Sequence, residues 1–425
     1  MSRLVPPPLS LYLHFPWCVR KCPYCDFNSY ALHGKLDETG YLDALERDIA
    51  TQAPEVAGRT IVSVFMGGGT PSLFPPASIA RVLDVARKHL AFADDAEVTM
   101  EANPGTIERG RFAEYHAAGV NRVSLGAQSF NANTLHTLGR IHSPDETRRA
   151  AEELHAAGLT NFNLDLMYAL PGQDVAAALS DVESAIALKP THLSHYQLTL
   201  EPGTVFAAQP PADLPTDDTA EEILAVCGAR LAEAGFAQYE VSAYAQPGRQ
   251  CRHNLNYWTF GDYLGVGAGA HGKITNPKGS TALGPDPDTP VQLGAGPRTR
   301  IDANMRLTPD AIIRTTHTRD PRRYTAAPTP TRTPVPDAQR PFEFMLNALR
   351  LTEGFELGTF SERTGLAWEL IAPEVQKLLD QRLLEVKGTR LLATMVGLRF
   401  LNNLLLSFLD ETPQTTGAFG LSTAI

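Results

Sequence analysis

CVRKCPYCDF, at residues 18–27, brings three of the chain's five cysteines together within eight positions. Their spacing is C-x3-C-x2-C, and the segment follows the apolar run LYLHFP, which has the composition of a short strand. Three thiolates on one loop can bind a soft metal centre, and the neighbouring Arg20 and Lys21 favour the thiolate forms. The segment therefore predicts a metal site whose ligands are Cys18, Cys22 and Cys25.

Two kinds of metal centre are compatible with this spacing. A zinc site would take a fourth ligand nearby, and His14 and His33 are available for that role. A [4Fe–4S] cluster held by three cysteines would leave one iron open to an exchangeable ligand. The spacing favours the cluster. Five cysteines, three of them grouped, make a poor disulfide framework.

The overall composition is that of a globular protein without a membrane span. Hydrophobic residues make up 43% of the 425 positions, which is enough for an ordinary core, and the formal net charge is −10. This acidic balance argues against a nucleic-acid-binding protein. No run approaches the ~18 apolar residues that cross a membrane, and prolines interrupt the first apolar stretch, where a signal peptide would lie. We therefore expect a cytoplasmic location.

Strand-like and helix-like segments alternate over residues 11–275. Three stretches each join an alanine-rich helix to a glycine and then to a β-branched or aromatic strand, at residues 112–130, 150–170 and 229–244. Such alternation implies parallel βαβ units. Polar candidates follow nearly every strand. They favour a barrel or partial barrel, because parallel barrels carry their sites at the C-terminal ends of the strands.

The character of the chain changes after residue 275. Residues 276–341 are polar and then rich in proline and threonine, which predicts an insertion followed by an extended linker. Amphipathic helices return at 342–409 with a short hairpin, and they predict a smaller helical domain of winged-helix type. Its expected role is packing or a lid rather than DNA binding. The N-terminal residues 1–10 are expected to be flexible, and the tail at 410–425 disordered.

Small and polar residues mark the ends of the predicted strands. The segment FMGGGTPS, residues 65–72, contains three glycines, which weaken a strand but let a ligand approach the backbone. At later strand ends, carboxylates suit ribose hydroxyls or an ammonium group, and an arginine suits a carboxylate. The candidates at these positions are Glu101, Gln128, Arg140 and Asp165.

The cysteine motif, the glycine segment and the polar positions together resemble the radical S-adenosylmethionine (SAM) superfamily. The resemblance implies a partial (β/α)6 barrel of TIM type, and a [4Fe–4S] cluster whose open iron binds the amino and carboxylate groups of SAM. The order and separation of the positions are similar to those of its coproporphyrinogen oxidase-like branch, over about residues 11–410. By this resemblance an aromatic residue packs near the adenine and the glycine segment meets the amino group. The implied SAM site comprises Tyr12, Tyr24, Gly68, Gly69, Thr70, Glu101, Gln128, Arg140 and Asp165.

Two features point to one group within that branch. The oxygen-independent coproporphyrinogen III oxidases continue the motif with a fourth cysteine, where this chain has Phe27. The HemW family of heme chaperones has phenylalanine there, and its H-N-x-x-Y-W motif resembles His253, Asn254, Tyr257 and Trp258. An imidazole can ligate heme iron, and aromatic rings can cover a porphyrin face. We therefore expect heme binding at His253, Tyr257 and Trp258, with Cys251 and His271 as further candidate ligands and Cys227 simply buried.

The resemblance implies a protein that binds heme and transfers it to an acceptor protein, with the cluster and exchangeable SAM assisting. It also implies an electron donor such as a flavodoxin or ferredoxin, and it allows peripheral contact with membrane-bound acceptors. Two alternatives stay open. One is an oxygen-independent coproporphyrinogen III oxidase, against which Phe27 argues, and the other is a zinc-containing binding module.

Overall fold

The computed structural model describes three parts of the chain, residues 4–105, 110–276 and 311–409. The tail that was expected to be disordered, residues 410–425, lies outside these ranges, and so do residues 1–3, 106–109 and 277–310. Most of the expected polar insertion is therefore outside the described residues. Within the described ranges, no helix combines the length and apolar character needed to cross a membrane.

The strands of the described residues form one large sheet and two small ones. In chain order they are β1 (Leu9–Phe15), β2 (Trp17–Cys18), β3 (Tyr30–Ala31), β4 (Thr60–Gly68), β5 (Ala91–Ala102), β6 (Arg122–Gln128), β7 (Phe162–Tyr168), β8 (His192–Gln197), β9 (Ala237–Glu240), β10 (Ala243–Ala245), β11 (Asp262–Val266), β12 (His271–Asn276), β13 (Ala311–Thr316), β14 (Thr331–Pro334), β15 (Phe355–Glu356), β16 (Leu384–Lys387) and β17 (Arg390–Ala393).

Helices connect and cover these strands. The predicted helix ends at Gly119 and Gly158 follow α3 and α5, and both glycines have the positive φ angles, 103° and 79°, that a helix end of this kind requires. The α-helices are α1 (Glu38–Gln52), α2 (Pro76–His89), α3 (Phe112–Ala117), α4 (Ala132–Thr137), α5 (Pro144–Ala156), α6 (Val175–Ala187), α7 (Val205–Ala208), α8 (Asp217–Glu233), α9 (Arg252–Trp258), α10 (Pro321–Ala326), α11 (Arg340–Ala348), α12 (Leu357–Thr364), α13 (Ala372–Asp380), α14 (Met395–Arg399) and α15 (Leu401–Leu406).

The large sheet has its strands in the order β14-β13-β12-β11-β1-β4-β5-β6-β7-β8-β10-β9. Seven neighbouring strands of this sheet run parallel to one another, namely β11, β1, β4, β5, β6, β7 and β8. Each strand outside this group pairs antiparallel with its neighbour. A helix follows each of β1 and β4 to β8, as the alternation predicts. The sheet stays open, with β14 and β9 at its edges. This order confirms the predicted α/β class with a partial, unclosed barrel.

Two segments that were expected to be irregular are part of the fold. Strands β13 and β14 extend the large sheet beyond β12, which corrects the expectation of a linker across residues 311–334. Pro334 is tolerated because β14 is an edge strand, where a missing N–H costs no ladder hydrogen bond on the outer side. The N-terminal residues are not free either. Leu4 is buried, and the Val5 amide donates to the Glu362 carbonyl at 3.1 Å.

A smaller unit follows, in which α11, α12 and α13 pack with a sheet of order β15-β17-β16. The predicted hairpin is present as β16 and β17, with Val386 paired to Leu391. The third strand, β15, was not expected. The order helix, strand, two helices and hairpin agrees with the predicted winged-helix-like arrangement.

The central parallel strands are buried on both faces, as expected when helices cover a parallel sheet. Every residue of β6 is buried. In β1 and β7 the only residues that are not fully buried are Tyr12 and Asp165, respectively. Both belong to the predicted site, so the gaps in the buried pattern coincide with candidate functional positions.

Candidate functional site

The three cysteines lie on a loop at the C-terminal end of β1, here called the cysteine loop (residues 18–29). Strands β2 and β3 pair at its base, and the Leu32 amide donates to the Cys18 carbonyl at 2.8 Å. The Cys25 amide closes a turn by donating to the Cys22 carbonyl at 3.2 Å. All three cysteines are residues of intermediate exposure. The loop is therefore ordered by its backbone without being fully enclosed.

The surroundings of the cysteine thiols affect their protonation. Burial and the charge of neighbouring cysteines raise the pKa of the Cys18 thiol, so a cationic centre is needed to hold it as a thiolate. Among the described residues, no three His, Cys, Asp or Glu side chains converge on one point that could hold a metal ion. Three cysteine thiols on one loop are a donor set that fits a [4Fe–4S] cluster with one open iron.

The zinc alternative loses one of its two candidate ligands. The His14 ring has both nitrogens engaged, since Nδ1 lies 2.9 Å from the Tyr12 hydroxyl and Nε2 lies 3.0 Å from the Asn28 carbonyl. His14 is also buried. It serves to connect β1 with the far side of the cysteine loop and is not available as a fourth ligand.

The glycine segment supports the cysteine loop from below. The Gly69 amide donates to the Phe15 carbonyl at 2.8 Å, and the Thr70 amide donates to the Trp17 carbonyl at 2.7 Å. A Cβ atom at Gly69 would lie 2.6 Å from both of those carbonyl oxygens, so a larger residue would push the two segments apart. The close approach that Gly69 allows in this structure is thus to the protein's own backbone.

Two partly buried carboxylates, Glu101 and Asp165, lie near enough to each other for their charges to interact. Glu101 accepts from the Gly68 amide at 3.0 Å, and Asp165 accepts from the Asn163 amide nitrogen Nδ2 at 2.7 Å. Burial and the negative charge of Asp165 raise the pKa of Glu101 to about 8. The pKa of Asp165 is raised as well, mainly by burial. Two partly buried like charges are stabilised by a cation between them, and SAM carries both a sulfonium and an ammonium group.

The Glu101→Gln variant should bind SAM about tenfold to a hundredfold more weakly at pH 8.5, because an amide lacks the charge that strengthens a hydrogen bond to a cation. In the wild-type protein, Glu101 must release its proton below about pH 8 before it can pair with the ligand. Wild-type affinity should therefore rise with pH up to about 8, and more steeply than in the variant.

Isothermal titration calorimetry of the anaerobically reconstituted proteins between pH 6.5 and 9 would measure this. The ligand's own titration is common to both proteins, so the difference between the two profiles isolates Glu101. Iron content should be unchanged, and the exposed Glu114→Gln variant should behave as wild type. If the Glu101→Gln variant and the wild-type protein had equal SAM affinities with equal pH dependence, the role of Glu101 would be structural.

Arg140 connects the cysteine loop to the strand ends. Its Nη1 lies 3.7 Å from the Cys22 sulfur, and its Nη2 donates to the Gly126 carbonyl at 2.9 Å and to the Asn103 side chain. Asn103 in turn donates to the Thr70 hydroxyl at 2.9 Å. The chain of contacts runs from a cysteine through an arginine and an amide to the glycine segment. Asn103 was not predicted, although it lies only two positions after Glu101.

The remaining SAM-site candidates lie around the same strand ends. Gln128 has a φ of 65°, an uncommon value for a residue with a side chain, and its Oε1 accepts from the Tyr196 hydroxyl at 2.7 Å. The Tyr24 ring lies 6.3 Å from the Phe206 ring, which offers an aromatic wall on that side. Tyr12 is close enough to Glu101 that, after burial, this charge raises the pKa of its hydroxyl.

His253 lies in the protein interior, away from the cysteine loop. It is at the start of α9 and only 8% exposed, with Nδ1 3.3 Å from the Ser63 hydroxyl. Its amide donates to Glu97 at 3.2 Å. Glu97 precedes Glu101 by four residues of β5, which is about 13 Å along a strand. Burial and the charge of Arg122 lower the pKa of His253 to about 3, so its ring is neutral but enclosed.

The other heme candidates do not form one surface with His253. Trp258 packs beneath the guanidinium of Arg350, whose central carbon is 4.4 Å from the ring, and Tyr257 packs 5.1 Å from the Tyr263 ring. Cys251 is buried and donates to Glu97 at 3.4 Å. His271 is exposed and begins β12, at the edge of the sheet that carries the cysteine loop. Cys227 is buried in α8, as predicted.

Two protein-family models match separate parts of the chain. Residues 12–184 match the model of the radical SAM superfamily, and residues 335–400 match that of the HemN C-terminal domain. The latter range covers most of the winged-helix-like unit.

Relatives match the chain over almost its whole length. The heme chaperone HemW of Escherichia coli strain K12 is 45% identical over 410 residues, covering 95% of this chain and 99% of that protein. The heme chaperone HemW of Haemophilus influenzae is 42% identical, with the same coverage. The mitochondrial radical S-adenosyl methionine domain-containing protein 1 of Bos taurus is 35% identical, covering 95% of this chain and 88% of that protein.

Among solved structures, coproporphyrinogen III oxidase (HemN) from Escherichia coli, a radical SAM enzyme, matches with a TM-score of 0.74. The match covers 95% of this chain and 90% of that one at 23% identity. At this identity the likeness concerns the fold, which the two proteins share through both the large sheet and the C-terminal unit.

Proposed function

Because this chain belongs to the HemW family of heme chaperones within the radical SAM superfamily, we propose that it binds heme and passes it to an acceptor protein. The proposal is carried by the likeness to a heme chaperone across 95% of the chain. Radical SAM proteins carry a [4Fe–4S] cluster and SAM, and the proposal assigns both to the C-terminal edge of the sheet. An acceptor for heme and an electron donor, such as a flavodoxin or ferredoxin, are its proposed partners.

In this proposal Cys18, Cys22 and Cys25 would hold the cluster, which would bind the amino and carboxylate groups of SAM and supply one-electron redox chemistry. The carboxylates Glu101 and Asp165 bind the cationic and hydroxyl groups of SAM. The support for these roles is that the cysteine loop, the glycine segment and Glu101 lie at the C-terminal ends of the adjacent strands β1, β4 and β5, and that Asp165 on β7 is near enough for its charge to act on Glu101.

The other assigned residues shape the same pocket. Tyr24 flanks the adenine, with Phe206 behind it. Gly68, Gly69 and Thr70 meet the amino group of SAM, and Arg140, held by Asn103, orients the ligand carboxylate. Gln128 and Tyr12 complete the lining. These assignments follow the pattern of the superfamily, position by position.

Heme binding can be tested directly with the reconstituted protein. Titration with ferric heme under anaerobic conditions should give a saturable Soret band at one heme per chain. The loaded protein should then pass its heme to an apo-cytochrome faster than free heme of the same concentration is taken up. Unsaturable absorbance that grows in proportion to added heme would contradict the proposal.

The reduced protein with SAM should not convert coproporphyrinogen III to protoporphyrinogen IX at a measurable rate. The reason is that Phe27 occupies the position at which the oxygen-independent oxidases have a fourth cysteine. In the structure the Phe27 carbonyl accepts from Lys21 at 2.9 Å. Product analysis by fluorescence, with a genuine oxidase assayed in parallel, checks this. Turnover comparable to that of the oxidase would favour the enzyme alternative.

A further inference from the structure

An exposed histidine lies on the rim that carries the cysteine loop. Strand β11 runs parallel to β1, so the two strands end at the same edge of the sheet, and the turn at residues 267–270 leads into His271. The His271 Nδ1 lies 3.4 Å from the Thr316 hydroxyl. Within the described parts of the chain, Nε2 makes no hydrogen bond. His271 therefore presents a ring nitrogen to solvent beside the loop.

This histidine is tied to the cysteine loop through Asn28. The Asn28 side-chain Nδ2 donates to the Ala268 carbonyl at 2.9 Å and to the Arg319 carbonyl at 3.0 Å. The Arg319 Nε donates back to the Asn28 Oδ1 at 3.3 Å, and the Tyr30 hydroxyl donates to the Arg319 carbonyl at 3.1 Å. The cysteine loop, the turn before His271 and the segment around Arg319 thus form one packed rim.

The rim offers three kinds of chemistry within a small area. Arg319 is exposed and carries a permanent positive charge, and Tyr30 is 38% exposed with its hydroxyl fixed at the Arg319 carbonyl. Burial, followed by the charges of Arg314 and Arg319, lowers the pKa of His271. The imidazole is therefore neutral at neutral pH, which is the form that ligates iron. An imidazole, a guanidinium and a flat ring are what the iron, a propionate and the macrocycle of heme require.

We propose that heme binds on this rim, with the His271 Nε2 as its axial iron ligand, Arg319 facing a propionate and Tyr30 against the macrocycle. The inference rests on the proposed function, because it names the site of the heme that the chaperone would carry. It places heme beside the cysteine loop on the same edge of the sheet, so that the state of the cluster site can influence whether heme is held or released.

The H-N-x-x-Y-W motif is the alternative site, and its packing argues against it. The His253 ring lies in the protein interior between two aromatic rings. Its centroid is 5.2 Å from that of Phe65 and 6.4 Å from that of Tyr12. A heme macrocycle could contact the His253 ring only if α9 moved away from the sheet. In the rim proposal, that motif fills and closes the interior below the SAM site.

Replacement of His271 by alanine in the full-length, reconstituted protein tests the proposal. The Soret maximum of bound heme should shift or disappear, and the heme affinity should fall at least tenfold. The thermal unfolding temperature and iron content should stay at wild-type values, because the side chain is exposed. Added free imidazole should restore a histidine-type Soret spectrum. The His89→Ala variant, which removes another exposed histidine at the far end of α2, should match wild type.

The role of Arg319 has a separate test. The Arg319→Ala variant should bind heme about tenfold more weakly with an unchanged Soret maximum, because a charge-assisted pair is lost while the iron ligand stays. Heme dimethyl ester, which lacks propionate charges, should bind wild type and variant equally. This pairing distinguishes the loss of a charge pair from disturbance of the loop.

The outcomes separate this inference from the proposed function. If wild-type protein takes up no heme, both fail. If wild-type protein binds heme and His271→Ala has the same spectrum and affinity, the rim site is overturned and the chaperone proposal stands. The same conclusion follows if His253→Ala loses the ligand spectrum at unchanged thermal stability, since the iron ligand would then lie in the interior.

Discussion

A protein in which Cys18, Cys22 and Cys25 are all replaced by alanine should carry no [4Fe–4S] cluster after anaerobic reconstitution. Iron and sulfide should fall from about four of each per chain to background, because the cluster has no other thiolate ligands on this edge of the sheet. The brown colour and the absorbance near 400 nm should disappear with them. The reduced wild-type protein should give an electron paramagnetic resonance signal that changes on addition of SAM, and the variant should give none.

Two cysteines outside the loop provide the matched control. Cys227 and Cys251 are both buried, in α8 and at the start of α9, and neither is near the cysteine loop in the sheet. The Cys227→Ala protein should retain full iron content and the SAM-dependent signal. A loop variant that kept wild-type iron and sulfide would remove the basis for the cluster assignment.

The Asp262→Asn variant should lose about 3–5 kcal/mol of the free energy of unfolding, the usual cost of removing one partner of a buried ion pair. Asp262 is fully buried and accepts from Lys273 at 2.8 Å and from Arg59 at 2.7 Å. Its oxygens also accept from the amide and hydroxyl of Thr275. The Lys273 side chain is only 2% exposed, so the variant leaves a buried ammonium without its charge partner.

The ion pairs of Asp262 should also make the free energy of unfolding depend on pH. Although burial opposes it, the charges of Lys273 and Arg59 hold the pKa of Asp262 below its usual value. The stability that Asp262 contributes is therefore present above its unfolded pKa and is lost as the pH falls through its folded pKa. Burial lowers the pKa of Lys273, so its ammonium depends on the carboxylate. In the Asp262→Asn variant, the Lys273 ammonium should lose its proton at a lower pH than in the wild-type protein.

Chemical denaturation at several pH values would measure both effects. The control is Asp95→Asn, which removes an ion pair with Arg252 that has a similar length, 3.0 Å. The Asp95 side chain is 79% exposed, so the expected loss is only about 0–1 kcal/mol. Equal losses in the two variants would mean that burial of the Asp262 pair contributes nothing.

The part of the site that could be predicted is the part built on strand ends. Asp165 was expected at or near a strand end, but it is the fourth of the seven residues of β7. Cys18 follows β1 and Glu101 is the last but one residue of β5, and parallel strands bring their C-terminal ends to one edge of the sheet. The local pattern was enough for these positions, because each depends on where a strand ends and not on which distant residue it meets. The cysteine spacing likewise lies within one loop.

Other features depend on contacts between distant segments. Arg122 is 2% exposed and lies at the start of β6, where its charge acts on Glu97 and Asp165 from neighbouring strands. Asn103 was not among the predicted site residues, yet its side-chain oxygen accepts from Arg140. Neither role can be deduced from neighbours in sequence, since both follow from the register of the strands.

Composition misled the prediction of a linker. The proline and threonine in residues 328–334 suggested a linker, but β14 accepts proline because it is an edge strand. The histidine and aromatic residues of α9 are types that bind heme, and in the structure they pack inside the protein. Whether they also take part in heme binding stays a prediction. Residue type describes what a side chain can do, while burial decides what can reach it.

Asn28 also has a consequence for the order in which the protein is made. Its side chain is anchored to carbonyl groups that lie 240 and 291 residues further along the chain. Translation delivers the cysteines early, and domains fold from the N-terminus as they leave the ribosome. The far side of the cysteine loop cannot reach its final anchorage until Arg319 has been synthesised. A cluster inserted into the fully anchored loop would therefore enter only after residue 319 has been made.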